Sequence, residues 1–388
     1  MTTKVVFIGN TSTSVLGFRI DLIKKLKSKN FMVYTFVCEY NDKDLKAIKD
    51  LGAIPIIYNM KRGGLNPFAD IKSLFELKSK IKEINPDIVF SYFTKPVVYG
   101  SLAAKMSKIP KIIGMVEGLG TPFTIHKHGQ SIKVKIIRFI QVCLYKFIFP
   151  FLDKIIFLNP DDPIDLIEKN NIRHKENAVI MLGPIGLNLE DYSYSCWNET
   201  KNVSFIFIAR LLAEKGIFEY LAAAKIVKQK YPNVTFKIIG GLDQENPYGL
   251  TKKDLDEVIA TGVIEYPGFV KDVAKRIQDS AVFVLPSYYR EGVPRSTQEA
   301  MAIGRPVITT DVPGCRETVI DGVNGFLVPK WDPEALAKRM CYFIENPEQI
   351  NIMGLESYKI AQKTFDVHKV NKKLFGIMGL NDTDEKTS

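Results

Sequence analysis

The chain has 388 residues, 46% of them hydrophobic and 25% charged, which excludes a disordered or fibrous protein and leaves room for two cores rather than one. Its five cysteines (Cys38, Cys143, Cys196, Cys315, Cys341) have neither the density of a disulfide scaffold nor paired metal-ligand spacing, so they read as reduced thiols. The formal net charge of +10 is uneven: residues 1–185 hold 28 Lys and Arg against 16 Asp and Glu, the remainder 25 against 27. A nucleic acid, an anionic membrane surface or a phosphorylated acceptor each suits that asymmetry. The lack of a zinc-finger, RNA-recognition or helix-turn-helix signature disfavours nucleic acid, and a lysine-rich solvated surface remains the plain alternative.

The N-terminus runs directly into Val5-Val-Phe-Ile8 without a basic n-region, a long apolar stretch or a cleavage site, so a cytoplasmic location is expected. Short apolar runs then alternate with amphipathic stretches, the βαβ rhythm of helix-covered parallel sheets. The expected strands of the first half are Val5–Ile8, Val33–Cys38, Ile54–Tyr58, Ile88–Ser91, Ile112–Met115 and Ile155–Leu158. Between the last two lies Ser131–Pro150, dense in apolar and aromatic residues with Lys133, Lys135, Arg138 and Lys146 interspersed. It is too charged to span a bilayer and fits either a membrane interface or a mostly buried helix. After the Gly/Pro/Asn-rich stretch from Gly183 to Asn202 the rhythm restarts with Val203–Ile208, Thr235–Ile239, Ile264–Tyr266, Val282–Leu285, Val307–Thr309 and Phe326–Val328.

The expected architecture is therefore α/β, with an N-terminal Rossmann-like domain at 1–185, a second at 186–362, a C-terminal helix at 363–380 returning to the first domain, and a disordered tail at 381–388. Ligands of such sheets bind beyond the carboxyl ends of the strands, so the loops there are where chemistry is sought.

The second domain opens with Phe205-Ile-Phe-Ile-Ala-Arg210-Leu-Leu-Ala-Glu-Lys215-Gly216, a strand running into a loop with two cations and then a helix. Cations at a strand's carboxyl end beside a helix N-terminus suit a diphosphate; two exposed basic residues before a helix are the alternative. Further on, Glu291-Gly292-Val293 stands in a loop, and Ser296-Thr-Gln-Glu299 opens a helix that Gly304 closes. Ser296 and Glu299 fit a capping box in their own right; Glu299 equally suits a ribose diol, with the amides of Gly292 and Val293 meeting a phosphate. Asp42-Lys-Asp44 and Asp254-Leu-Asp256 fit the short Asp-x-Asp pattern of metal-dependent transferases, but both sit among lysines in helical, solvent-facing stretches, and no metal site is assigned.

Two glutamates separated by seven residues, preceded by Arg210 and Lys215 and followed by Gly304-Arg305-Pro306-Val307-Ile308, resemble the retaining family 4 glycosyltransferases of the GT-B architecture. The resemblance implies two Rossmann-like domains facing each other across a cleft and no cofactor. Arg210 and Lys215 would neutralise the departing donor diphosphate, Glu291 would contact the donor sugar, and Glu299 would hold the ribose hydroxyls. Gly268, Phe269 and Val270 would face the uracil, with Gly240, Gly292, Val293, Ser296, Gly9 and Gly17 also on the donor. Ser14, Arg19, Glu117 and Gly118 would face the acceptor. Where many members carry His-Asp after the fifth strand, this chain has Glu117-Gly118, and neither His126 nor His128 is assigned the histidine's role.

Ser91–Gly100, Val116–Gly120, Leu65–Phe68 and Gly240–Pro247 are similar to transferases that extend polyprenyl-diphosphate-linked sugars, including N-acetylgalactosamine transfer onto lipid-linked diacetylbacillosamine. That likeness implies UDP-GalNAc as donor and peripheral attachment to the cytoplasmic face of the inner membrane through the basic first domain. Another UDP-sugar in a capsule or O-antigen pathway and a sugar-nucleotide 2-epimerase remain alternatives. A nicotinamide oxidoreductase lacks its Gly-x-Gly-x-x-Gly, and a periplasmic binding protein lacks an export signal.

Overall fold

Seven all-parallel strands form the sheet of the first unit: β1 (Lys4–Ile8), β2 (Met32–Val37), β3 (Ile54–Ile57), β4 (Ile88–Tyr92), β5 (Lys111–Val116), β6 (Lys154–Phe157) and β7 (Val179–Met181), in the order β3-β2-β1-β4-β5-β6-β7. This computed structural model describes residues 2–61, 66–199, 202–243, 246 and 248–380. Leu65, Gln244, Glu245, Pro247 and the tail 381–388 lie outside the described residues. Val5, Val6, Phe7 and Ile8 of β1 are all buried, as expected of a central strand covered by helices on both faces. The unit comprises residues 1–122, 131–185 and 367–388, so the helix Val367–Ile377 belongs to it; Phe375 of that helix packs edge-on against Phe31.

The second unit, residues 123–130 and 186–366, carries a five-stranded parallel sheet of β8 (Ser204–Ile208), β9 (Thr235–Ile239), β10 (Val282–Leu285), β11 (Val307–Thr310) and β12 (Gly325–Val328), ordered β12-β11-β10-β8-β9. Assigning all of 1–185 to the first domain therefore needs correcting at 123–130. That segment bonds within the second unit, where Arg290 N donates to Thr124 Oγ1 at 3.1 Å and the His126 ring stacks on Tyr248. Likewise residues 363–366 stay with the second unit, tied by Leu187 N donating to Phe365 O.

Ile264–Tyr266 forms no strand. Glu265 alone exchanges ladder bonds with β9, and Pro267, lacking an N–H, ends the pairing. The three-residue edge strand β7 follows an apolar run too short to separate from a loop by pattern. Gly304-Arg305 has a structural role: the Arg305 side chain is wholly buried and donates to the carbonyls of Ser195 (2.6 Å), Gln278 (3.0 Å) and Ile277 (3.3 Å). Burial pushes it down to about 10, so the guanidinium stays charged at neutral pH and is satisfied by backbone oxygens.

Ser131 caps the helix Ile132–Ile148 by accepting from Val134 N at 3.3 Å. This helix is only half buried: Val134, Gln141, Val142, Tyr145 and Ile148 face the core, while Ile132, Ile136, Phe139 and Phe147 face solvent. No described helix is long and apolar enough to cross a membrane.

Burial, with a further push from Glu291, raises the Cys315 thiol to about 12, while Cys143 and Cys196 are exposed. Iodoacetamide at pH 8, read by peptide mass spectrometry, is expected to label Cys143 and Cys196 and leave Cys315 unlabelled until denaturant is added.

Candidate active site

In each sheet the strand order reverses at one point: between β1 and β4 in the first unit, between β8 and β10 in the second. A reversal leaves a crevice at the strands' carboxyl ends, because the flanking loops depart to opposite faces. Most of the expected site residues follow those four strands.

In the second unit, the loop after β8 carries Arg210 and Lys215 and the loop after β10 carries Glu291. Lys215 donates to Glu291 Oε1, Ser287 Oγ donates to the same oxygen at 3.1 Å, and both charged side chains are buried. The Lys215 ammonium also sits 5.0 Å from the centre of the Tyr289 ring. Tyr289 bonds in turn to Arg210, and burial pushes its phenol above the usual range with Arg210 opposing. Arg210 differs from Lys215 in keeping 48% of its side chain exposed while it donates to the buried carboxylate of Asp243. The two cations are thus neither free surface charges nor equivalent: one is locked in a buried pair and one is held by Asp243 with its outer face open.

Backbone bonds join these loops. The N–H groups of Tyr288 and Tyr289 both donate to Glu214 O, at 2.9 and 3.0 Å, and Thr310 Oγ1 donates to Ser287 O. Gly314, at φ +86°, lies so close under Glu291 and Gly292 that a β-carbon would meet the Gly292 oxygen at 2.6 Å. Gln298 Nε2 fixes the end of the loop by donating to Val293 O at 3.2 Å.

The capping box that Ser296 and Glu299 offered as an alternative does not form. The helix Arg295–Ile303 has Pro294 at its cap position with no side-chain cap, and Ser296 lies inside the first turn. Glu299 is drawn elsewhere: its Oε1 accepts from Tyr192 Oη at 2.9 Å and from Arg295 Nε at 3.0 Å. Ser296 and Glu299 therefore do not cap this helix, whose first turn follows on Gly292 and Val293 and carries the dipole's positive end. At the edge strand β9, Gly240 N donates to Gly268 O at 3.3 Å, bringing Gly240 beside Phe269, which is exposed, and half-buried Val270.

The first unit's residues behave differently. Gly9 follows β1 where the ring of Tyr92, at the end of β4, leaves no space for a side chain, whereas a β-carbon at Gly17 would meet nothing within 4 Å. Arg19 and Glu117 are a buried ion pair rather than groups presented to solvent; the guanidinium lies 4.6 Å from the centre of the buried Tyr92 ring. Ser14 is also buried, its Oγ donating to Thr11 O at 2.7 Å, and Gly118 follows Glu117 at φ +99°. These contacts make Arg19 and Glu117 supports of the loops after β1 and β5.

The Asp-x-Asp pairs are helix ends. Asn41 caps Asp42–Asp50 by accepting from Asp44 N, and Thr251 with Asp254 makes a full capping box on Lys252–Ala260. His126 lies 3.1 Å from the buried Glu214 carboxylate, and burial pulls its pKa below the usual range; His128 is exposed. Ser287, Asp243, Tyr289, Tyr192 and Gly314 were not singled out by pattern. Ser287 and Tyr289 stand four and two residues before Glu291, and Asp243 lies within Gly240–Pro247, so these three were within reach of a motif.

Residues 196–360 match the family described as Glycosyl transferases group 1, and residues 4–159 match Glycosyl transferase 4-like. The N,N'-diacetylbacillosaminyl-diphospho-undecaprenol alpha-1,3-N-acetylgalactosaminyltransferase of Campylobacter jejuni is 30% identical over 355 residues, covering 88% of this chain and 90% of that protein. The chain belongs to the family 4 glycosyltransferases. This glycosyltransferase is also 25% identical to the UDP-Gal:alpha-D-GlcNAc-diphosphoundecaprenol alpha-1,3-galactosyltransferase of Escherichia coli, over 74% of this chain and 73% of that one. Its fold matches the crystal structure of Anabaena HepE in complex with UDP and glucose at a TM-score of 0.76, with 18% identity across 97% of this chain and 99% of the other. The enzyme is a hexosyltransferase with the two Rossmann-like domains of GT-B.

Two outcomes follow for the buried pair of the first unit. Glu117→Ala strands the Arg19 charge and is expected to cost about 3 kcal/mol in urea unfolding, most of it recovered by Arg19→Met with Glu117→Leu. Burial holds Glu117 above its ordinary range against the pull of Arg19, so the native state binds its proton more readily than the unfolded one. The contribution of this carboxyl to stability therefore declines as pH rises above the unfolded value of about 4.5, and Glu117→Gln removes that decline.

Proposed function

We propose that this glycosyltransferase moves N-acetylgalactosamine from UDP-GalNAc onto a polyprenyl-diphosphate-linked saccharide, with retention at the anomeric carbon, as a peripheral protein at the cytoplasmic face of the inner membrane. The observation that carries the reading is the convergence of Arg210, Lys215 and the uncapped helix Arg295–Ile303 at the β8/β10 reversal. Two cations and a helix N-terminus are what a departing diphosphate requires. The printed activities of the Campylobacter and Escherichia relatives, both transfers onto undecaprenyl-diphosphate-linked sugars, support the acceptor class.

In this reading Arg210 grips diphosphate oxygens with its open face while Lys215 adds a fixed charge. The amides of Gly292, Val293 and Ser296 meet the distal phosphate. Glu291, oriented by Lys215 and Ser287, accepts from hydroxyls of the donor sugar, and Glu299, oriented by Tyr192 and Arg295, holds the ribose diol. Gly240, Phe269 and Val270 border the uracil, and Gly9 and Gly17 lie in the loop that follows β1. In the transfer, the bond from the sugar's anomeric carbon to the β-phosphate oxygen breaks as the acceptor oxygen bonds to the same face. The acceptor's proton passes to the leaving phosphate. Preorganised charge and positioning supply the rate enhancement.

A panel of radiolabelled UDP-sugars with a polyprenyl-diphosphate-linked monosaccharide tests the donor and acceptor together. Incorporation into lipid is expected from UDP-GalNAc, undiminished by excess chelator; incorporation from UDP-galactose instead reassigns the donor, and none from any UDP-sugar rejects the reading. Arg210→Ala is expected to lower kcat about a hundred- to a thousand-fold in a chain that still folds by circular dichroism, with a Tm lowered by the loss of a partner for the buried Asp243 carboxylate. Near wild-type turnover contradicts its role.

A further inference from the structure

We infer that the first unit carries a two-helix membrane-docking face, formed by Pro67–Ile84 and Ile132–Ile148, that binds an anionic lipid surface through inserted phenylalanines and flanking lysines. Right-handed crossovers from β3 to β4 and from β5 to β6 put both helices on the same face of the sheet. Both pack against the same turn, Pro96–Gly100.

Each helix buries one side and leaves an apolar stripe on the other. On Ile132–Ile148, Ile132, Ile136, Phe139, Cys143 and Phe147 recur at helical spacing, opposite the buried Val134, Gln141, Tyr145 and Ile148. Phe139 is 69% exposed and Phe147 56%. On Pro67–Ile84, Phe68 (86%), Ile71 and Phe75 (54%) repeat the pattern, with the Lys78 ammonium 6.0 Å from the Phe75 ring centre. Among the described residues, these four are the exposed phenylalanines of the whole first unit. Large aromatic side chains standing in water on two helices that both pack against Pro96–Gly100 are a surface that a soluble protein avoids.

Charge identifies the occupant. Ile132–Ile148 carries Lys133, Lys135, Arg138 and Lys146 and not one acidic residue; Pro67–Ile84 carries Lys72, Lys78, Lys80 and Lys82 against Asp70, Glu76 and Glu83, of which Asp70 is buried against Lys95 and Glu76 is paired with Lys80. Cations bordering an apolar stripe match a layer of anionic headgroups over acyl chains, with phenylalanine entering the boundary and lysine remaining at the phosphates. A second copy of this chain would present the same positive charge to itself. The face therefore names the surface by which the membrane attachment proposed above is made, and rests on that reading only for the identity of the acceptor.

The test uses the full chain and vesicles that contain neither acceptor nor nucleotide sugar, so a wrong donor or acceptor leaves it untouched. Cosedimentation is expected with vesicles containing phosphatidylglycerol and not with phosphatidylcholine alone. Phe139→Ser with Phe147→Ser, and separately Phe68→Ser with Phe75→Ser, are each expected to reduce partition at least about tenfold, and Lys133→Glu with Lys135→Glu to abolish the preference for anionic lipid. Circular dichroism and the Tm should match the wild type. Wild-type binding that ignores lipid charge, or Ser variants that bind as the wild type does, overturn the inference. So does a dimer in light scattering that the Ser variants dissolve while vesicle binding persists.

Discussion

The bond between Lys215 and Glu291 ties the loop after β8 to the loop after β10, and the second unit's candidate site is arranged around it. A buried ion pair contributes little net stability, since the desolvation of two charges offsets their attraction. What it supplies here is position. Ser287 bonds the same carboxylate oxygen, Tyr289 stacks over the ammonium, and the Tyr288 and Tyr289 amides bind the carbonyl of Glu214. With the pair broken, each partner is left buried and charged, so the two loops hold one geometry or lose much more than one contact.

Arg210 escapes that economy. Asp243 and Tyr289 orient it from behind, yet half the side chain remains in solvent. A cation that is held and still open is suited to an anion that arrives and departs, whereas Lys215 is suited to organising its surroundings. The helix Arg295–Ile303 adds a third source of positive potential, because Pro294 cannot cap it and Glu299 is engaged by Tyr192 and Arg295. The first unit uses burial in the opposite sense: Arg19, Glu117 and Tyr92 close on one another beneath Gly9 and shape the loops without offering charge.

The docking face and the site divide the molecule's charge between two tasks. Lysines on Pro67–Ile84 and Ile132–Ile148 stay in water beside apolar stripes, where they cost little to keep charged. Lys215 of the site is shielded and paired with Glu291. The basic excess of residues 1–185 is therefore not a uniform coat, since on Ile132–Ile148 it borders the exposed stripe of a helix whose other side completes the core.

The alternation of apolar runs with amphipathic stretches was sufficient for two parallel α/β sheets, because strand burial and helix periodicity are local properties of the chain. For the same reason Arg210, Lys215 and Glu291 were legible as loop residues after strands, and eleven of the twelve expected strands are present. Ile264–Tyr266 failed because pairing depends on a neighbour, and Pro267 removes the donor that the ladder needs. Ser296 and Glu299 had the spacing of a capping box and did not form one, while Thr251 and Asp254 did; the difference lies in Pro294, Arg295 and Tyr192, the last of them 107 residues from Glu299. Sequence alone determined which residue types stand at the carboxyl ends of the strands. Tertiary structure alone decided which of them face each other, which face solvent and which hold the others in place, because burial and pairing are set by residues far apart along the chain.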